Sequence, residues 1–199
     1  MKLHLIYIGG FIALINLLWF TYNTWTRKIP AQNPASWFMW TVIDGLLLGS
    51  MLMAGLSPWL PLAYTIGALS VTVAMHFRGK WSIGGKEVLC AICAGITTYF
   101  WISRGATAGA MAGVIAMAAA GVPIWIDLFR NPVRSSWPVW AYTMLACFFT
   151  LFGSDWSLEQ SLLAWSGIVF NGSLTLIVLF KIPPQDRPLR NVLREFTGR

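Results

Sequence analysis

The sequence predicts an all-α integral membrane protein: seven transmembrane helices, built as two parallel three-helix repeats joined by a linker helix. Three observations predict it. The composition is 57% hydrophobic with a mean hydropathy of +0.64 and only 11% charged residues, against about 25% charged in an average globular domain. Seven continuously apolar runs follow one another, with the basic residues gathered on alternate connections. Finally, the first three runs are echoed by the last three.

So few charges cannot cover the water-facing surface of a 199-residue chain. A cytosolic enzyme, a secreted disulfide module and a disordered tail are thereby excluded. The net charge of +7 would suit nucleic acid only as a continuous basic patch. The basic residues instead flank apolar runs, so the expected partner is the lipid bilayer and not nucleic acid.

A hydrocarbon layer about 30 Å thick needs roughly 17–25 apolar helical residues. The runs at 3–20, 36–54, 59–77, 87–103, 107–129, 137–153 and 160–180 meet that length. None alternates as a barrel strand would. The first is followed, not preceded, by Arg27 and Lys28 and lacks a small-residue cleavage site, so it reads as a span and not a signal peptide. The second opens on Asn33-Pro34 and carries Asp44 near its middle. The third ends at the basic turn of Arg78 and Lys80. The fourth holds Cys90 and Cys93, which read with Cys147 as small apolar packing residues, because a zinc site needs four ligands. The fifth contains Pro123 and ends in Asp127 and Arg130. The sixth opens on Trp137 and Trp140, and the seventh carries Asn171. The tail from 182 is polar, basic and proline-bearing.

Seven spans place Lys2 and Arg104 on the side of the N-terminus. The other twelve Lys and Arg fall on the opposite side. Positive charge is retained in the cytoplasm, so the N-terminus is expected outside and the C-terminus inside. Most of the 12 Trp are expected at the two membrane interfaces.

The echo begins at Ser36-Trp37-Phe38-Met39-Trp40, which recurs as Ser136-Trp137-Pro138-Val139-Trp140, each after an Asn-Pro. One span later, Leu62-Ala63-Tyr64-Thr65 recurs as Leu163-Ala164-Trp165-Ser166. Spans one to three thus match spans five to seven, and span four is left over. An odd linker gives both units the same orientation, the parallel repeat for which SWEETs are the worked example among transporter folds. The corresponding division is 1–82, 83–104, 105–181 and a basic tail at 182–199.

On this order, and on Val122-Pro123-Ile124-Trp125-Ile126-Asp127 before Ser136-Trp137, the chain resembles the SWEET and PQ-loop superfamily of 3-1-3 transporters. Pro123 is followed by Ile124 where that family's motif has Gln. The resemblance implies alternating-access transport of a sugar or similar small solute, without cofactor or metal. It also implies that Asn171 contacts the solute, with Ser70 opposite it in span three, and that an acid near Asp127 serves proton coupling. Importers of nicotinamide riboside share a related plan, which makes a vitamin precursor an alternative solute.

The residues themselves add Asp44, the one ionisable group deep within a span, where a carboxylate costs about 2.5–3.5 kcal/mol on insertion scales. Helical spacing sets Trp37, Trp40, Asp44 and Leu48 on one face, and Trp137, Trp140, Met144 and Phe148 on its counterpart. Asp44, Trp40, Trp140, Asn171 and Ser70 are the expected solute contacts, and Asp44 and Asp127 the candidate proton carriers. Asp127 also has Arg130 at i+3 as a partner. Pro123 removes one backbone bond and suits a hinge. Gly105, Gly109 and Gly113 form a small-residue face for close packing, within the bundle or between protomers as a homo-oligomer. No nucleophile, metal or phosphate-loop constellation indicates an enzyme. The alternative to a carrier is a non-transporting scaffold or accessory subunit, with Asp44 and Asn171 as assembly contacts.

Overall fold

The computed structural model describes residues 2–29, 32–130 and 137–181, with backbone only at 123, 127, 130, 159, 160 and 181. These residues form seven helices and no strands: α1 Lys2–Trp25, α2 Pro34–Met53, α3 Trp59–Arg78, α4 Gly85–Arg104, α5 Ala106–Arg130, α6 Trp137–Gly153 and α7 Leu158–Lys181. Each coincides with one expected apolar run. Five helices are long and apolar enough to cross a membrane, fewer than the seven expected. The apolar α6 has 17 residues, about 26 Å of helix. α4 is long enough, but it is diluted by Lys86, Glu87, Thr97, Thr98 and Arg104.

Local chemistry sets the helix ends. The Asn33 side chain accepts a hydrogen bond from the Ala35 N–H at 3.1 Å, and Pro34 occupies the first helical position of α2, where its missing N–H costs nothing. α4 and α5 are separated by Gly105 alone, at φ +88° and ψ 178°. That region is essentially restricted to glycine, so the chain reverses on one residue that no side-chain-bearing amino acid replaces without strain.

Six helices close a ring in the spatial order α1, α3, α2, α5, α7, α6, with α6 returning to α1. α4 stands outside the ring against α5 and α2. The small-residue face is used here: a Cβ on Gly109 would meet the Trp101 side chain at 2.7 Å, and one on Gly113 would meet Leu47 at 3.1 Å and Thr97 at 3.5 Å. Gly105 does not belong to this surface, since nothing lies within 4 Å of its Cβ position. The face expected to serve packing or oligomerisation is occupied by α4 and α2 of the same chain at Gly109 and Gly113.

The outer surface is apolar, with Phe11, Met53, Phe77, Ile102, Ile115 and Val169 all exposed. Patches of this extent belong against lipid, and the protein is a multi-pass membrane protein.

Candidate functional site

The chain directions divide the ring into two ends. One carries the C-termini of α1, α3, α5 and α7 with the N-termini of α2, α4 and α6, and includes Arg27, Lys28, Arg78, Lys80 and Lys86. The other carries Lys2 and Arg104. The latter end is tightly packed. A Cβ on Gly9 of α1 would lie 2.6 Å from the Ala146 carbonyl of α6 and collide with Thr150, and one on Gly153 would lie 2.6 Å from Ile6. Tyr7 and Trp59 meet edge to face there, with ring centroids 4.8 Å apart.

Toward the basic end the ring opens around a cavity of about 360 Å³, within the range of small-molecule sites. α2 contributes Ser36, Trp37, Trp40 and Asp44; α3 contributes Tyr64 and Ala68; α6 contributes Val139, Trp140 and Thr143. α7 adds Ser166, Gly167, Phe170 and Asn171, and α5 adds Met117, Ala118 and Ile124. The mouth is lined by Gln32, Asn33 and Lys86, and both Gln32 and Lys86 are solvent-exposed.

Four of the five expected solute contacts therefore converge: Asp44, Trp40, Trp140 and Asn171 line one cavity. Ser70 does not. Its hydroxyl lies 2.9 Å from Thr21 Oγ1 and donates to the Gly67 carbonyl at 2.7 Å, on the α1–α3 seam. It stands two residues beyond Ala68, a turn of about 200°, which carries it to the opposite face. The side chains of Pro123, Asp127 and Arg130 lie outside the described residues, as do 131–136 and the tail at 182–199. α5 is helical through 123 and 127.

The polar atoms within the cavity fall into two groups. Most are paired. The Asn171 amide donates to the Gly167 carbonyl at 2.8 Å, the Thr143 hydroxyl to the Val139 carbonyl at 2.7 Å, and the Ser166 hydroxyl to the Leu163 carbonyl at 2.9 Å. The Tyr64 hydroxyl and Cys147 thiol are 3.1 Å apart. Others are not, among them Asp44 Oδ1 and Trp140 Nε1, buried without a hydrogen-bond partner on side chains only 3% and 9% exposed. Aromatic rings close the walls, with Trp40 and Phe170 centroids 6.3 Å apart at an interplanar angle of 32°.

At the mouth, Glu87 on the first turn of α4 gathers donors from α2. Its Oε1 accepts from Ser36 Oγ at 2.5 Å and Asn33 Nδ2 at 2.8 Å, and its Oε2 from the Gly84 N–H at 2.8 Å. The sequence marks Glu87 only as a span boundary. Tyr64 and Phe170 were likewise missed as cavity residues, although Tyr64 sits in the repeated Leu-Ala-aromatic segment. Its counterpart Trp165 is 47% exposed while Tyr64 is 7% exposed, so the echo does not preserve which face looks inward. Cys90, Cys93 and Cys147 are free buried thiols. Among the described residues, no group of three or more His, Cys, Asp or Glu side chains could hold a metal ion.

No protein-family model, no curated protein and no solved structure matches the chain.

Proposed function

We propose that this protein is a carrier for a small polar solute, working by alternating access between two three-helix units. One observation carries the reading: Asp44, Asn171, Trp40 and Trp140, on three different helices, line one cavity whose lining reaches the exposed Gln32 and Lys86 at the basic end of the bundle. An assembly scaffold has no need of a cavity reaching its deep polar side chains. The neighbour pattern supports the 3-1-3 arrangement implied by the likeness to SWEET and PQ-loop transporters. Exchanging α1, α2 and α3 with α5, α6 and α7 turns α1·α3 into α5·α7, α2·α3 into α6·α7 and α1·α6 into α5·α2, all of them observed contacts. A two-fold relation about the membrane normal has that property, with α4 as the linker.

The basic end is the cytoplasmic one on the positive-inside rule, which makes this an inward-open form. Opening to the other side then requires the α1–α6 contact at Gly9 and Gly153 to part while the basic end closes. Asp44 is the group positioned to couple that movement to a proton, since a carboxyl at bilayer depth changes charge with the solvation of its cavity.

Uptake by purified protein in liposomes, screened over sugars, amino acids, amines and vitamin precursors, tests the proposal. Accumulation of at least one class is expected, and Asp44→Asn should abolish acceleration by a pH gradient. Absence of uptake for every class would return Asp44 and Asn171 to assembly contacts.

A further inference from the structure

Two of the unpaired atoms on residues lining the cavity, Asp44 Oδ1 and Trp140 Nε1, have opposite needs. Asp44 offers acceptors and, when ionised, a negative charge; the Trp140 indole can only donate. Leaving a buried polar group unsatisfied costs about 1–3 kcal/mol, more for a charged one. Both side chains line the cavity, in which a ligand can supply what is missing. We infer that the solute is a protonated amine that also carries a hydrogen-bond acceptor, its ammonium on Asp44 and its hydroxyl or carbonyl on the Trp140 N–H. This deepens the carrier reading and rests on it.

A sugar would fill the same two contacts less well, for two reasons. The remaining walls are largely apolar or aromatic: Leu17, Ala68, Met117, Ile124, Trp40 and Phe170. A polyhydroxylated ring would leave most of its hydroxyls facing carbon. In addition, an ammonium pairs with the ionised Asp44 carboxylate and gains attraction from the indole faces, and a neutral hydroxyl gains neither. The other charged group lining the cavity, Lys86, lies at the mouth beside Glu87. Glu87 bonds Ser36, and Asp44 is eight residues further along α2, about 12 Å deeper. Among the described residues that line the cavity, Asp44 is the one acidic side chain.

Binding of 2-amino-1-phenylethanol to the full-length protein in nanodiscs, followed by calorimetry, tests the inference. The comparison probes are 1-phenyl-1,2-ethanediol, which replaces the ammonium, phenethylamine, which lacks the acceptor, and D-glucose. The amino alcohol should bind at least about tenfold more tightly than the diol. Asp44→Asn should erase that ratio, and Trp140→Phe should erase the advantage of the amino alcohol over phenethylamine. Equal or tighter binding of the diol or glucose by the unaltered protein overturns the inference, and this comparison needs no variant to fold. Survival of the amine preference in folded Asp44→Asn also overturns it. Liposome uptake separates the two levels: amine binding without uptake sinks the carrier reading alone, while preferential uptake of glucose or diol sinks the amine assignment alone.

Discussion

Asn16 of α1 donates from one amide nitrogen to Thr143 Oγ1 at 2.9 Å and to the Val139 carbonyl at 2.7 Å, both on α6. The pair ties together two helices 127 positions apart in the chain, along the seam that a rocking carrier has to move. Interhelical hydrogen bonds in membranes are worth about 0.6 kcal/mol on average and up to about 1.7 kcal/mol. Asn16→Leu should therefore lower unfolding stability in detergent by about 1 kcal/mol. A carrier should also show an altered ratio of inward-open to outward-open forms, read by cysteine accessibility at cavity positions. An unchanged ratio would confine Asn16 to static packing.

Gly105 permits α4 and α5 to meet across one residue. Gly105→Ala places a Cβ at φ +88° and should cost about 1–3 kcal/mol. Gly95→Ala on the exposed face of α4, where nothing lies within 4 Å, should leave stability unchanged or slightly raised. Thermal unfolding of the two variants side by side measures the contrast.

Glu87 accepts hydrogen bonds from Ser36, Asn33 and the Gly84 N–H. Glu87→Ala orphans donors on α2 and loosens the start of α4. A loss of about 2–3 kcal/mol is expected, given about 1.5–3 kcal/mol for a hydrogen bond to a charged group. Glu87→Gln keeps the acceptor oxygen for Ser36 and should lose less than half as much. The denaturation midpoints of both variants in detergent check the order.

Asn171 and Ser70 separate a solute contact from a seam contact. The one hydrogen bond the Asn171 side chain makes runs back along its own helix to Gly167, so Asn171→Ala should lower liposome uptake about tenfold with little change in unfolding temperature. Ser70→Ala should do the reverse: nearly normal uptake and a small loss of stability. The opposite result would move the solute path to the α1–α3 seam.

The assignment of the basic end to the cytoplasm is tested by single cysteines at Lys80 and Arg104 in a Cys-free background. An impermeant maleimide added from outside should label position 104 and not 80. Labelling of 80 alone would invert the topology and turn the inward-open form into an outward-open one.

The sequence echo shows how far repetition can be followed without a structure. Trp40 and Trp140 occupy matching positions, and both line the cavity. Tyr64 and Trp165 also match, yet one faces the cavity and the other is exposed. A displacement of one or two residues rotates a helical side chain by about 100–200°, enough to move it from the cavity to the outer surface while leaving the local pattern intact. Ser70 left the site for the same reason.

Helix number, approximate helix ends, apolar character and the depth of Asp44 were legible in the chain itself, because each depends on local properties: run length, and prolines and glycines at the turns. Which face of α3 looks inward, with Tyr64 in the cavity and Ser70 on the α1–α3 seam, was decided only by the tertiary structure. In water the contrast between buried and solvated faces writes a helix's orientation into its sequence. In a bilayer the lipid-facing and protein-facing sides are both apolar, so Tyr64 and Trp165, matched in the echo, do not show which of them looks inward, and the Gly109–Gly113 face reads alike for a neighbour helix or another protomer. Ring closure brought α2, α6 and α7 around one space, and with it Asp44 and Trp140, each of which keeps a buried atom without a partner among the described residues.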